Sequence, residues 1–370
     1  MDCQPARRLL ICAESAGARR AERPVADDRS RGSSLGAPRT IQGVGSGEFE
    51  PMGAELPGSV PVIDIAGLRS GAIEERRAVA REIDRACRTI GFFYIRNHGV
   101  DEALIQELVA ASRAFFALPL ADKMAIASTN SPHFRGYVPL AAEEHNPGHG
   151  RDWHEALDFG REPRPGMEPD AGFYGPNQWP PAMPSLRPVV ERYYGAMLGL
   201  SMDLLRGFAL ALELEEEYFL PKFDWAAGWL RLLHYPPQPE NGSTDGIGIG
   251  EHTDYDAFTI LWQDMNGGLE VHRLDGTWIQ APPIPGTFVI NIANLMQRWT
   301  NDLYRSTPHR AINRSKADRT SIPFFVNANP ETVVECLPNC GPALYPPITA
   351  LEWVRARVLE SQPFRQEAAE

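Results

Sequence analysis

The spacing of apolar residues divides the chain into a helix-rich first part and a strand-rich second part. Apolar side chains recur every three or four positions over 74–88, 101–118 and 185–212, which is the spacing of one helical face. Two shorter runs, Pro61–Ile65 and Gly91–Ile95, are β-branched or aromatic and predict strands. Between the second and third helices, residues without a regular period predict mostly loop.

From about Trp229 onward, short apolar segments alternate with turn residues. Such spacing favours an antiparallel sandwich or jelly roll over βαβ units. The sequence therefore predicts a mainly β fold with flanking helices, and a final helix over about 348–361. The predicted strands are Leu230–Tyr235, Phe258–Gln263, Gly268–His272, Trp278–Ala281, Thr287–Ile292, His309–Ile312 and Ile322–Val326.

The same pattern suggests an organisation along the chain. Residues 1–57 are rich in Arg, Ala, Gly and Ser with little periodicity, which predicts a disordered N-terminal extension. A related hypothesis is that translation starts at Met52. The rest is expected to form a helix-rich region over 58–220, a β core over 225–335, and a C-terminal helix and tail over 336–370.

Composition narrows the class of protein. The chain has 370 residues, of which 43% are hydrophobic and 23% charged, and its formal net charge is −12. The acidic balance disfavours nucleic acid as a partner, and no apolar run is long enough to predict a membrane span. The five cysteines are scattered and odd in number, so a cytoplasmic protein without a disulfide framework is expected.

The most informative segment for chemistry runs from Gly248 to Tyr255. In an extended chain, His252 and Asp254 project to the same side and could meet one cation. With one further imidazole they would form a facial triad of two histidines and one carboxylate. That arrangement binds iron(II) on one face and leaves the other coordination positions open.

Candidates for the remaining parts of such a site lie downstream. His309 can supply the second imidazole, and Arg319 and Ser321 fall on one face of a predicted strand. A guanidinium grips a carboxylate with two hydrogen bonds, and a hydroxyl adds another donor. Iron beside a buried carboxylate anchor suits a dicarboxylate cosubstrate such as 2-oxoglutarate.

These residues in their surroundings resemble the isopenicillin N synthase-like branch of the iron(II)/2-oxoglutarate-dependent dioxygenases. The resemblance covers about 60–355. Apart from His252-x-Asp254, His309 and Arg319-x-Ser321, it is carried by Pro61–Leu68, Gly91–Gly99, Arg135–Tyr137, Leu230–Pro237, Gly267–Val271, Arg298–Asn301 and Ser306–Arg310.

The resemblance implies a double-stranded β-helix (jelly-roll) core over 225–335 that binds iron and 2-oxoglutarate. It implies iron ligands at His252, Asp254 and His309, and cosubstrate binding by Arg319, Ser321 and Tyr235. No catalytic residue is expected beyond the metal ligands. The implied reaction uses O₂ to hydroxylate or desaturate a small organic molecule, with release of succinate and CO₂.

The chain departs from the family pattern at two places. Many relatives carry Asn two positions before the tyrosine, where this chain has Leu233, which affects the expected pose of the cosubstrate. Many also have Gly-Asp where this chain has Ala293-Asn294, a difference that we assign to a structural turn.

Three alternatives remain open at this point. The fold also hosts oxidases of the isopenicillin N synthase or aminocyclopropane-carboxylate oxidase type, which use no 2-oxoglutarate. Some relatives fragment 2-oxoglutarate to ethylene, and a non-catalytic binding module is the third possibility. We further expect a monomer or weak homo-oligomer, and we expect the polar cluster at 143–159 to be solvated or substrate-facing rather than a second metal site.

Overall fold

The computed structural model describes residues 59–145, 150–163, 166, 174–238, 247–313 and 317–361. These residues fall within one compact unit, 54–370. The predicted disordered extension at 1–57 and the hypothesis about Met52 lie outside the described residues. The proposed boundaries at 220, 225 and 336 stay predictions.

The helices follow the apolar periodicity closely, and those predicted near 74–88, 101–118, 185–212 and 348–361 are confirmed. Asp101 caps the second helix by accepting a hydrogen bond from the backbone N–H of Ala103 at 2.9 Å. None of the helices in the described ranges is both long and apolar enough to cross a membrane. The helices are α1 (Ile73–Thr89), α2 (Glu102–Phe116), α3 (Leu120–Met124), α4 (Leu186–Ala211), α5 (Asn294–Trp299) and α6 (Ala350–Ser361).

The strands form two main sheets, as the predicted jelly roll requires. The strands are β1 (Val62–Asp64), β2 (Phe92–Arg96), β3 (Gly136–Val138), β4 (Glu155–Gly160), β5 (Trp229–Tyr235), β6 (Ile247–His252), β7 (Phe258–Gln263), β8 (Leu269–His272), β9 (Trp278–Gln280), β10 (Phe288–Ile292), β11 (His309–Ile312), β12 (Arg319–Val326), β13 (Val333–Val334) and β14 (Ile348–Thr349). The larger sheet has the order β1-β2-β10-β7-β12-β5-β4-β3, and the smaller one β6-β11-β8-β9. A short pair, β13 and β14, completes the described strands.

The expectation of mostly loop between α2 and α4 is wrong in part. This segment contributes α3, β3 and β4, and β4 is buried along its whole length beside β5. A strand with both faces buried has no polar–apolar alternation, and here Glu155 and Asp158 interrupt the apolar run as well. The pattern that marks an ordinary strand is therefore absent from the sequence.

Different elements pack against the two faces of the larger sheet. On one side the helices pack against it, and Phe208 of α4 meets Phe258 of β7 with ring centroids 5.1 Å apart. On the other side Leu233 of β5 packs with Ile249 of β6 and Ala311 of β11 in a small apolar cluster. The smaller sheet thus covers the inner face of the larger one, and the space between them contains the candidate site.

A buried ionic network joins the segment between α2 and α4 to strand β5. The Glu155 carboxylate accepts hydrogen bonds from Lys123 at 2.7 Å and from the Tyr137 hydroxyl at 2.5 Å, and it lies 2.8 Å from Nδ1 of His234. Burial alone would raise the pKa of Glu155, but His234, Lys123 and Tyr137 outweigh it and lower that pKa. The ionised carboxylate therefore joins α3, β3, β4 and β5.

We expect Glu155→Ala to lower the free energy of unfolding by about 3–5 kcal/mol, because it leaves the buried Lys123 ammonium without its partner. The measurement is urea denaturation at neutral pH. Glu191→Ala is the matched control, since Glu191 pairs with Arg187 on the surface and its loss should cost less than about 1 kcal/mol. Equal effects of the two substitutions would contradict the structural role of the network.

Candidate metal centre and adjoining pocket

Two strands of the smaller sheet bring the two candidate histidine ligands together. His252 ends β6, His309 begins β11, and the antiparallel register makes them direct partners with ring centroids 4.3 Å apart. Asp254 Oδ1 lies 3.6 Å from Nε2 of His252 and 3.7 Å from Nε2 of His309. The ligand atoms of all three side chains lie within 4.8 Å of one another, so the structure brings together the three residues singled out in the sequence.

Hydrogen bonds orient these side chains. Nδ1 of His252 donates to the Gly250 carbonyl at 2.8 Å, and Nδ1 of His309 donates to the Thr307 carbonyl at 3.1 Å. Each ring therefore turns the lone pair of Nε2 toward Asp254. This is the arrangement in which histidine ligands are usually held, with the second ring nitrogen bonded to the protein.

Hydrogen bonds to one carboxylate oxygen, Oδ2, hold Asp254 in place. Oδ2 accepts hydrogen bonds from the hydroxyl of Thr259 and, at 2.7 Å, from the side-chain amide of Asn291. Oδ1 is left facing the two imidazoles. Ala293-Asn294, where many relatives have Gly-Asp, is also next to Asp254. The backbone N–H of Asn294 donates to the Asp254 backbone carbonyl at 2.9 Å.

The protonation states suit a divalent cation. Burial, with repulsion from His309 and His145, lowers the pKa of His252 to about 3, so this imidazole is neutral at pH 7. Burial alone would raise the pKa of Asp254, but the two imidazoles and the hydrogen-bond donors lower it. Two imidazoles and one carboxylate are the donor set of non-haem iron(II) sites, and the described residues fit it.

A buried guanidinium marks the deep end of the same cavity. Arg319 is only 1% exposed; its Nε donates to the Gly267 carbonyl at 2.6 Å and its Nη1 to Ser321 Oγ at 3.3 Å. The Tyr235 hydroxyl lies 3.3 Å from the same Ser321 oxygen. Across the described part of the chain, no carboxylate comes within ion-pair distance of Arg319. A buried charge without a partner is unfavourable, so this geometry calls for an anionic ligand.

One cavity of about 220 Å³ connects this anchor to the triad. Its wall is built by the inward-facing positions of β5 and β12, which pair in antiparallel register. Leu233, at the position of the first family departure, lies between the polar deep end and the outer end and makes this part of the wall apolar. From the deep end outward, the wall residues are Tyr235, Leu233, Arg231 and Trp229 on β5, and Arg319, Ser321, Pro323 and Phe325 on β12.

The described side chains of the polar cluster at 143–159 are mostly buried, so the expectation of a solvated segment is wrong for them, although Glu144 is exposed. The buried ones are Glu143, Asp152, His154, Glu155 and Asp158. Glu143 and Asp158 are buried and both pair with Arg231, at 2.8 and 2.7 Å. The sequence analysis did not identify Arg231 as a residue of the cavity. Its position four residues before Tyr235 predicts that both side chains lie on the same face of β5. Among the described residues, the only grouping with metal-ligand spacing is the triad.

The same segment reaches the metal centre through Asp152. Its Oδ1 accepts the backbone N–H of Gly250 at 2.7 Å, and its Oδ2 lies 2.5 Å from Nδ1 of His145. The His145 ring lines the cavity, 5.1 Å from the ring of His252. Burial would lower the pKa of His145, but Asp152 and Glu143 raise it. The prediction that the segment faces the substrate stays a prediction.

Comparisons with known proteins agree with this geometry. Residues 60–182 match the family model described as non-haem dioxygenase in morphine synthesis N-terminal, and residues 226–328 match that of the 2OG-Fe(II) oxygenase superfamily. A 2-oxoglutarate-Fe(II) type oxidoreductase of Emericella nidulans is 35% identical over 85% of this chain and 95% of its own length. A homoarginine-6-hydroxylase of Glycine max is 37% identical over 75% of this chain and 88% of its own length.

Solved structures show the same likeness. A full-length Neurospora crassa protein crystallised with alpha-KG and thymine aligns with a TM-score of 0.74 at 28% identity, covering 83% of this chain and 98% of that one. The structure of JOX2 with 2OG, Fe and JA aligns with a TM-score of 0.68, also at 28% identity, over 81% and 84%. These similarities favour a 2-oxoglutarate-dependent oxygenase that acts on a separate small molecule over the oxidase, ethylene-forming and binding-module alternatives.

We expect Asn291→Ala to weaken iron(II) binding about 10- to 100-fold, because it removes a hydrogen bond that orients the Asp254 carboxylate. The measurement is anaerobic calorimetric titration of the protein with iron(II). Asn130→Ala, at an exposed asparagine, is the control and should bind iron(II) like the unaltered protein. Unchanged affinity in Asn291→Ala would show that this hydrogen bond does not support the metal centre.

Proposed function

The chain belongs to the 2OG-Fe(II) oxygenase superfamily, and we propose that His252, Asp254 and His309 hold its iron(II) while Arg319 and Ser321 anchor its 2-oxoglutarate. It is an oxidoreductase, a non-haem iron dioxygenase that uses 2-oxoglutarate and O₂ to oxidise a small organic molecule. When bound, iron(II) would let O₂ oxidise the substrate and 2-oxoglutarate together, and 2-oxoglutarate would leave as succinate and CO₂.

One observation carries the assignment of residues. A triad of two imidazoles and one carboxylate shares a single cavity with a buried guanidinium that has no carboxylate partner among the described residues. A 2-oxoglutarate molecule has a keto-acid end that can chelate a metal and a distal carboxylate that suits a guanidinium. The two ends of the cosubstrate thus correspond to the two ends of this arrangement.

In this proposal each side chain has a limited task. The Nε2 atoms of His252 and His309 and the Oδ1 atom of Asp254 would hold the metal, a donor set that keeps further coordination positions available for the cosubstrate and O₂. Arg319, Ser321 and the Tyr235 hydroxyl hold the distal carboxylate and so fix the direction of the cosubstrate. No general base is needed, and the protein provides position and the exclusion of water.

We extend the proposal to the setting in which the enzyme acts. We propose a cytoplasmic monomer or weak homo-oligomer that acts on a free small molecule. The few, scattered cysteines support the cytoplasmic location, and the net charge of −12 disfavours nucleic acid as the substrate. The Glycine max relative is a homoarginine-6-hydroxylase and the Neurospora crassa crystal holds thymine, so we propose a substrate of similar size. Light scattering after gel filtration measures the oligomeric state.

Asp254→Ala should abolish formation of succinate from 2-oxoglutarate and should weaken iron(II) binding at the same time, because the metal loses its only anionic protein ligand. The two measurements are succinate release under oxygen and anaerobic iron(II) titration. Asp275→Ala, in an exposed turn, is the control for removal of a carboxylate. Full succinate formation by Asp254→Ala would refute the metal assignment.

Arg319→Leu should raise the Kd for 2-oxoglutarate about 10- to 100-fold, the size expected for losing hydrogen bonds to a charged group. Iron(II) affinity should stay within about twofold of the unaltered protein, since Arg319 does not touch the triad. The check is calorimetric titration of the iron-loaded protein with 2-oxoglutarate, without oxygen. If Arg319→Leu binds the cosubstrate normally, the anchor lies elsewhere.

A further inference from the structure

A second cavity, of about 540 Å³, lies away from the metal centre, at the C-terminal end of α1. Its described wall is formed by that end of α1, the chain entering β1, the turn between β8 and β9, and the segment before β11. None of its lining residues also lines the cavity at the triad. The volume suits a ligand of metabolite size, and the proposed function assigns it none.

Two of the four guanidiniums in this described lining are paired with neighbouring acids. Arg88 pairs with Asp84, one turn earlier on α1, at 2.7 Å. Arg273 pairs with Asp275, within the turn between β8 and β9, at 3.4 Å. Each pair is close to neutral as a whole, so these two arginines contribute little to the charge of the cavity.

The other two guanidiniums, of Arg85 and Arg305, form no ion pair with any residue that the structure describes. Outside the two pairs, the described lining contains one acidic residue, Glu82, and it is not paired with either of them. With all these acids counted, the cavity keeps a surplus of one positive charge, in a chain whose formal net charge is −12. Unpaired guanidiniums in such a place favour an oxyanion as ligand.

Backbone contacts bring the two unpaired arginines to one wall. The backbone N–H of Arg305 donates to the Cys87 carbonyl at 3.0 Å, and the Thr307 hydroxyl donates to the Ile90 carbonyl at 2.7 Å. The segment before β11 is thus fixed against the end of α1, which carries Arg85. Residues that are 220 positions apart in sequence therefore line the same cavity by a defined contact.

The remainder of the wall is largely apolar. Val62, Ala86 and Ile90 line the cavity, and Leu274, which is 71% exposed, belongs to the same lining. Apolar side chains beside a few polar groups are the usual composition of a small-molecule site. A ligand that fits this wall has an apolar part as well as a charged one.

From this wall we infer that the cavity is a second ligand site, for a small molecule with an oxyanion head and an apolar body. Arg85 and Arg305 bind the head, and Val62, Ala86 and Ile90 contact the body. Phosphate and carboxylate heads share this chemistry, because both accept hydrogen bonds from a guanidinium. The inference goes beyond the proposed function and does not depend on which residues bind iron(II) or 2-oxoglutarate.

The test uses four probes that separate the head from the body: hexyl phosphate, hexanoate, inorganic phosphate and hexanol. Anaerobic protein loaded with iron(II) and 2-oxoglutarate is titrated by calorimetry at low salt. At least one hexyl anion should bind about tenfold more tightly than inorganic phosphate or hexanol, because only it uses both parts of the wall. The tighter of the two anions identifies the head. If neither binds at millimolar concentration, or if hexanol binds as tightly, the inference is overturned.

Substitutions locate the binding. Arg85→Gln and Arg305→Gln should each weaken the tighter hexyl anion at least about fivefold, because a charged hydrogen-bond donor is lost. Arg81→Gln is the matched control: Arg81 is exposed on the same helix but does not line the cavity, and its loss removes the same charge. It should leave the affinity within about twofold, since exposed charges at a distance are screened.

A charge-preserving variant separates recognition from packing. Arg305→Lys should keep more of the affinity than Arg305→Gln, because the positive charge remains. Equal loss in the two Arg305 variants, or the same loss in Arg81→Gln as in Arg85→Gln, would refute the site. Normal 2-oxoglutarate titration of each variant shows that it is folded, and failure of that titration in the unaltered protein counts against the proposed function alone.

Discussion

The antiparallel pairing of β6 with β11 is the constraint on which the candidate site depends. Because His252 and His309 are partners in this register, their imidazoles share one face of the smaller sheet and approach within 4.3 Å between centroids. A shift of one residue would turn one ring to the opposite face of the sheet and destroy the triad. Every other part of the site is placed relative to this pair.

The loop and strand before the core reinforce that register. Asp152 accepts the Gly250 N–H, and the Gly250 carbonyl accepts Nδ1 of His252, so a residue outside the jelly roll is linked to a candidate ligand by two hydrogen bonds. His154 lies 2.8 Å from the Gly248 carbonyl on the same strand. The segment between α2 and α4 therefore contributes His145 to the lining of the cavity, and its buried Asp152 and His154 hold β6 in position.

Two guanidiniums in one cavity show how pairing decides the role of a charge. Arg231 is neutralised by Glu143 and Asp158, so it stabilises the wall and does not recruit an anion. Arg319 is buried among neutral groups and donates only to a carbonyl and a hydroxyl, so its charge is left for a ligand. The same side chain thus serves structure at one end of the cavity and binding at the other, and the difference lies in the neighbouring acids.

Local periodicity, which can be read directly along the chain, predicts the fold class, the three largest helices and most of the strands. The sequence also singled out His252, Asp254, His309, Arg319 and Ser321, since ligand chemistry and strand alternation restrict which residue types can serve. The folded structure was needed to find β4, the short helix α5 and the pairing of Arg231 with Glu143 and Asp158. The physical reason is that burial and charge pairing are long-range properties. Whether a guanidinium is available depends on carboxylates that lie far away in the chain, and only folding brings them within reach.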